Sequence, residues 1–322
     1  GNVLRARGQA LEAAACFERA VQMEPDYGEA WILLGGVQGL LGAFEAAEAS
    51  SRRALALLPP SVEAHMNLAN ALLPQGKLEE AAACYETVVK LQPDLAAGWF
   101  MLGRTRGQQG QYPEAERCCR EAIRLAPTLA EAHLDLGNAL QAGGKWEEAL
   151  ESYQESLRLD PQQPMVYLNR GIVLQQQKRF KEAEEAYRNA LQIKPDFALA
   201  ATYLGNTLRI QRKTADAVAA YRQALESAPD NTDIHYYLGL TQQDAGRFGE
   251  AAASYRNALR LKPARVDIHV RLASVHQAKS DYPEAISCCQ EALRLKPDYA
   301  EAHHGLAGRS HYQLSAGVAL QA

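Results

Sequence analysis

No apolar run in this sequence is long enough to cross a bilayer. The most apolar stretch, Trp31 to Phe44, spans 14 residues, contains Gln38 and is flanked by Glu29 and Glu45, whereas a spanning helix needs roughly 20 apolar residues. No membrane partner is therefore expected. Basic excess is missing too: the formal net charge of -4 weighs against a dedicated nucleic-acid surface, which works by releasing counterions from phosphate. No Gly-rich phosphate loop is present, and no signal peptide is expected. Cysteine is sparse, at six residues in 322, and its spacing fits no zinc pattern.

What is present is a period. Pro25, Pro59, Pro93, Pro127, Pro161, Pro195, Pro229, Pro263 and Pro297 each follow the last by 34 residues. A period of about 20 to 50 residues marks a solenoid, in which each unit buries its apolar face only by stacking on its neighbours. The expected organisation is one array over residues 1–322, with full repeats at 28–61, 62–95, 96–129, 130–163, 164–197, 198–231, 232–265 and 266–299. Partial repeats are expected at 1–27 and 300–322. Because Gly1 enters in mid-repeat, the chain reads as a segment of a longer array.

Within the repeat from 130, His133, Leu136, Gly137 and Leu140 recur at helical spacing, and Ala149, Tyr153 and Ser156 mark one face of a second helix. Gly144 supplies a left-handed stop between them, and Pro161 closes the second helix. Ala13, Ala47, Ala81, Ala115, Ala149, Ala183, Ala217, Ala251, Ala285 and Ala319 share one phase. Gly35, Ala69, Gly103, Gly137, Gly171, Gly205, Gly239, Ala273 and Ala307 share another, so paired helices are expected to approach closely there. Phe17, Tyr85, Tyr153, Tyr187, Tyr221 and Tyr255 are expected to fill the gap between repeats. His65, His133, His235, His269 and His303 share the phase of Trp31 and Trp99, which makes them occupants of a packing slot rather than ligands. His304 and His311 lie about 10.5 Å apart on a helix, too far to share one metal. No metal site, cofactor or catalytic residue is expected.

This pattern resembles the tetratricopeptide repeat family, a 34-residue helix-turn-helix. Trp31, Leu34, Gly35, Ala47, Ala54 and Pro59 carry the motif in one repeat, and Trp99, Leu102, Gly103, Ala115, Ala122 and Pro127 in another. The resemblance implies an all-α, right-handed superhelical solenoid of antiparallel helix pairs that binds protein segments and is not an enzyme. Equivalent positions in stacked repeats lie about 10 Å or more apart, beyond disulfide reach. Cys16, Cys84, Cys118, Cys119, Cys288 and Cys289 are therefore expected as buried or half-buried thiols, which favours a reducing, cytoplasmic setting.

Departures from the pattern are informative. Pro74 would clash with the Asn70 carbonyl, so the helix before it should end early or kink. Pro113 and Pro283 open second helices, where a missing N–H costs nothing. Lys178, Arg212 and Ser280 replace the inter-helix glycine and need a strained turn. Gly317, Val318 and Ala319 make the last second helix doubtful.

In this family the first helix of each repeat lines the inner wall. That geometry implies a peptide groove of Met66, Asn67, Asn70, Phe100, Arg104, Leu134, Asn138, Asn169, Tyr203, Asn206, Tyr236 and Tyr237, extended by Gln141, Gln175, Arg209, Gln243 and Gln277. Asn and Gln offer both a donor and an acceptor and can grip an extended backbone without reading its sequence. The apolar and aromatic neighbours would supply anchor pockets. Asn138 and Asn169 match the amides of the chaperone carboxylate clamp, but Leu134, Leu199 and Tyr203 fill its basic slots, so that clamp is rejected. Asn67 and Asn169 are similar to the asparagine ladder of O-linked N-acetylglucosamine transferases, although Met101, Asp135, Tyr203, Tyr237 and Arg271 break it. The resemblance raises a substrate-recognition arm of a larger glycosyl- or sulfo-transferase as one alternative. Incomplete end repeats, which leave apolar end faces uncapped, raise a self-associating assembly scaffold as another.

Overall fold

The computed structural model describes residues 1–306, apart from the side chains of Arg5 and Ala6. Ala307, His311, Gly317, Val318 and Ala319, named above, lie outside the described residues. The chain forms two compact units, Gly1–Pro161 and Gln162–Ala322. Among the described residues there is no strand, and no helix is long and apolar enough to cross a membrane.

The first unit comprises α1 (Asn2–Ala6), α2 (Ala10–Met23), α3 (Gly28–Leu40), α4 (Phe44–Leu57), α5 (Val62–Leu72), α6 (Leu78–Leu91), α7 (Ala96–Gln108), α8 (Tyr112–Leu125), α9 (Ala130–Ala142) and α10 (Trp146–Leu159). The second comprises α11 (Pro164–Gln176), α12 (Phe180–Ile193), α13 (Ala198–Ile210), α14 (Thr214–Ser227), α15 (Thr232–Asp244), α16 (Phe248–Leu261), α17 (Val266–Ala278) and α18 (Tyr282–Leu295). Residues 300–306 are helical as well.

The turn between paired helices explains itself from local chemistry. After α9, Gly144 takes φ 74°; its N–H donates to the Gln141 carbonyl at 3.1 Å, and Lys145 N–H donates to the Leu140 carbonyl at 2.9 Å. This is the Schellman closure, which satisfies carbonyls that the helix end would otherwise leave orphaned. Lys178, Arg212 and Ser280 make the same turn with φ of 61°, 64° and 60°, the strain expected from the missing glycine. Pro74 acts as expected too: α5 stops at Leu72 and a 3-10 turn, Leu73–Gln75, carries the proline. Pro113 and Pro283 sit in the opening turns of α8 and α18.

Packing follows the two small-residue columns. The alanines from Ala13 to Ala285 are buried without exception. Close approach at the glycine column is enforced by the aromatics: a Cβ on Gly137 would lie 2.5 Å from the Tyr153 ring, and one on Gly205 would lie 2.6 Å from Tyr221. The tyrosines therefore fill space inside their own helix pair as well as between repeats, where Tyr85 packs with Leu102 and Cys118 and Tyr255 with Ile268 and Leu272. Cys118, Cys119 and Cys289 are buried and Cys84 and Cys288 half-buried, but Cys16 is exposed. Its position on α2 lacks the covering that the later cysteines receive.

The Trp/His slot has a shared chemical basis. Trp31 and Trp99 donate Nε1–H to the carbonyls of Pro25 and Pro93 at 2.9 Å. His133, His235, His269 and His303 place Nε2 at 2.7–3.1 Å from Pro127, Pro229, Pro263 and Pro297 carbonyls. Each ring thus locks the turn that opens its own repeat. His65 instead sets Nδ1 2.8 Å from the Ser61 carbonyl.

Candidate functional site

In each unit, first helices of successive repeats approach one another, α3 with α5 and α7 with α9 in the first, α11 with α13 and α13 with α15 in the second. Second helices make no comparable approach among the described residues. The first helices therefore line the tighter side of each unit, and the groove residues expected from sequence lie on these helices.

In the first unit, Met66, Asn67, Phe100, Arg104 and Leu134 are half-buried, and Asn70 and Asn138 are exposed. The amides of Asn67, Asn70 and Asn138 are engaged within the protein. Asn70 and Asn138 accept the hydroxyls of buried Tyr85 and Tyr153 at 2.6 and 2.9 Å. Asn67 donates to the Ile32 carbonyl at 3.0 Å, tying α5 to α3. A buried phenol without an acceptor would cost about 1–3 kcal/mol, so the exposed amide is drawn into service by the core. Arg104 stacks its guanidinium 4.4 Å from the Phe100 ring centre and pairs with Asp135 across the α7/α9 seam at 2.9 Å. Burial raises the Asp135 carboxyl above its ordinary value, and the adjacent Arg104 charge only partly offsets it.

The second unit lines its wall with aromatics. Tyr203 stacks on buried Tyr187 at 5.7 Å and Tyr237 on buried Tyr221 at 6.4 Å, with Tyr236 tilted between Tyr237 and Tyr255. Arg265 lies 5.4 Å from the Tyr236 ring. Asn206 accepts the Tyr221 hydroxyl at 2.8 Å, and Asn169 is half-buried on α11. Burial pushes the Tyr221 hydroxyl up to about 12, with nearby Arg209 opposing.

Clefts open on this side at specific repeats. One of about 350 Å³ lies between α3 and α5, lined by Gly35, Gly36, Gly39, Leu40, Asn67 and Asn70. Another of about 310 Å³ lies between α7 and α9, lined by Gly103, Arg104, Gly107, Gln108, Asp135 and Asn138 among others. The two sets differ by 68 residues position for position, or two repeats. A third, of about 470 Å³, lies between α17 and residues 300–305 in the second unit and reaches Cys289.

These three clefts share an interruption of the tyrosine column. In the repeats with these clefts, the position held elsewhere by Tyr85, Tyr153, Tyr187, Tyr221 and Tyr255 is held by Ser51, Cys119 and Cys289. The column supplies no phenol to the wall there, although Tyr112 lines the cleft between α7 and α9, and Gly39 and Gly107 line the first two clefts without a side chain to fill them. Gly36 and Asp135 fall in inner-wall columns readable from sequence, whereas Gly39, Gly107 and Gln108 were overlooked as lining residues. The signal was available as the loss of tyrosine from an otherwise regular column. Burial pushes the Cys119 thiol up to about 12, which makes it a packing group rather than a nucleophile. Among the described residues no three His, Cys, Asp or Glu side chains lie together as a metal site would require.

Stacked antiparallel helix pairs of 34 residues, with small columns at their contacts and a first-helix wall, define a tetratricopeptide solenoid. Residues 2–237 match the family described as "Cilia and flagella-associated protein 70 C-terminal domain", and residues 238–300 match the tetratricopeptide repeat family. The chain belongs to this tetratricopeptide repeat group. No curated protein sequence matches it significantly. Among solved structures it is similar to YrrB, "a TPR protein with an unusual peptide-binding site", at 21% identity and a TM-score of 0.54, over 59% of this chain and 97% of that one. PilF of Pseudomonas aeruginosa aligns at 21% identity and a TM-score of 0.55, over 66% of this chain and 97% of that one. The Cut9–Hcn1 assembly of the APC/C aligns at 17% identity and a TM-score of 0.52, over 88% of this chain and 56% of that one. At these identities the likeness establishes the fold.

Proposed function

We propose that the chain is a protein-interaction module that binds segments of partner proteins along the first-helix wall of each unit, with anchor side chains entering the inter-repeat clefts. The observation that carries this reading is the coincidence of clefts with Ser51, Cys119 and Cys289. A regular space-filling column is interrupted on the wall side, leaving polar-rimmed recesses of side-chain size. Half-buried Met66, Phe100 and Leu134 offer apolar contact beside them, the arrangement that concentrates binding energy in a few anchored residues. YrrB, described as having a peptide-binding site, is a precedent for ligand capture on this fold, and neither family model that matches the chain is described as catalytic.

Closing the clefts tests the reading. Ser51→Tyr and Cys119→Tyr install the residue that the column carries elsewhere, opposite Gly35 and Gly103; because Gly36, Gly39, Arg104 and Gly107 stand where other repeats offer an amide acceptor, circular dichroism and melting must show the double variant folded before its binding is compared. Wild type, the double variant and an outer-face control, Glu151→Lys, would each select from a displayed peptide library. The expected result is a set of peptides retained by the control and lost or weakened at least tenfold by the double variant. Equal retention by all three proteins, or no enrichment by wild type, would overturn it.

A further inference from the structure

An internal comparison isolates Arg209. At its phase, Gln141, Gln175 and Gln243 each accept the hydroxyl of their repeat's buried tyrosine, from Tyr153 at 2.7 Å, Tyr187 at 3.1 Å and Tyr255 at 2.8 Å. Gln175 also accepts from the Thr207 hydroxyl at 3.0 Å. An arginine has no acceptor to offer. Tyr221 therefore turns to Asn206, and the Thr241 hydroxyl donates to the Tyr237 carbonyl at 2.8 Å. Arg209 lies beside the Tyr221 hydroxyl, yet its buried Nε has no acceptor in the protein.

A cleft of about 400 Å³ opens where this guanidinium sits, lined by Arg209, Ile210, Arg212, Thr214, Thr241 and Asp244. Two arginines and one aspartate line it, and no ion pair within 4 Å joins Asp244 to either arginine among the described contacts. Neighbouring Lys213 is committed to Glu184 at 2.7 Å. Arg212 occupies the left-handed turn position that glycine holds in most repeats. Both arginines thus depart from the repeat at a local cost, and both departures place positive charge on one cleft.

We propose that this cleft binds a carboxylate carried by a peptide segment. The inference rests on the peptide-binding reading above and specifies the chemistry of one subsite in the second unit. A carboxylate supplies acceptor oxygens to a planar donor fork and neutralises the excess charge, the pairing for which guanidinium geometry is suited. The side chain of an acidic residue and a free C-terminus present the same group.

The test uses reversion to the repeat's own pattern. Arg209→Gln restores the tyrosine acceptor and Arg212→Gly restores the turn glycine, so neither substitution should cost stability. Arginine side-chain N–H signals would be followed by NMR while the full chain is titrated with four probes: acetyl-Gly-Glu-Gly-amide, acetyl-Gly-Gly-Gly with a free C-terminus, acetyl-Gly-Gln-Gly-amide and inorganic phosphate. A saturable shift of the Arg209 signal with one or both carboxylate peptides is expected, and which peptide acts identifies the source. Neither the neutral peptide nor phosphate should reproduce it. Carboxylate affinity should fall at least tenfold in each variant, with melting temperature held or raised. The proposal is overturned by absence of a carboxylate-specific shift, by a response to phosphate alone, or by destabilisation of Arg209→Gln. Loss of this site would leave library peptides still bound by the first unit's clefts, so the two readings fail separately.

Discussion

Lys178 turns at φ 61°, a conformation that costs an L-residue about 1–2 kcal/mol, while its Schellman bonds to Gln175 and from Arg179 to Leu174 are intact. Lys178→Gly should relieve that strain, less what glycine adds to the unfolded chain's freedom, for a net gain of about 0.5–1 kcal/mol. Urea unfolding would read it as a higher midpoint at constant slope, and a lower midpoint would mean that the lysine side chain outweighs the turn. The need for strain at Lys178, Arg212 and Ser280 was legible, because every other repeat of known turn advertises glycine there. The role of the Trp/His column was only half legible. Phase showed that Trp31, Trp99 and His133 share a slot, but their common feature is an N–H placed against a proline carbonyl six residues back, which depends on how the ring folds over the turn.

Between elements, a charge network ties helix pairs together within each unit. Glu48 on α4 receives Lys77 from the next turn at 2.7 Å, Arg52 at 2.9 Å and Gln75 at 3.0 Å, and Arg52 reaches Glu80 on α6 at 2.6 Å. Glu116 repeats the arrangement with Lys145 and Arg120, and Glu184 with Lys213 and Gln211. The Lys77 hydrogen bond foremost, helped by Arg52 and Gln75 against burial, lowers the Glu48 carboxyl from 4.5 to about 2. A group depressed in the folded state stabilises fully above its unfolded value and loses that contribution as pH falls through the folded one. Wild type should therefore exceed Glu48→Gln in melting temperature above pH 4.5, with the gap closing between pH 4.5 and about 2. A gap independent of pH over that window would show that packing, rather than charge, accounts for it. The sequence alone did not show these pairings, since Lys77, Lys145 and Lys213 come from the next repeat. Pro74, by contrast, announced the early end of α5 directly, because its clash is with its own helix.

Within each unit, stability is a sum over neighbours, since each repeat packs on the next. Ala183 on α12 is fully buried, and Ala183→Leu should overpack that contact at a cost of about 1–3 kcal/mol. Within the second unit, amide hydrogen exchange should accelerate across residues 164–231 while α17 and α18 keep most of their protection. Uniform acceleration throughout the unit would show that it opens as one cooperative block. The same modularity allows binding features to be local: Ser51, Cys119 and Arg209 each alter one seam without disturbing the columns that hold the array.

The sequence alone determined the repeat length, the helix pairing, the small columns and the positions of strained turns, because each follows from short-range sterics copied every 34 residues. Which wall residues remain available to a ligand was decided only in the tertiary structure. Asn70, Asn138 and Asn206 stand on first helices yet answer buried tyrosines, and recesses open both where that tyrosine is replaced and beside Arg209, where it is kept. The physical reason is that a hydrogen bond between two helices depends on their separation as well as on phase. A periodic pattern fixes the phase of a side chain but leaves its partner to be chosen by packing.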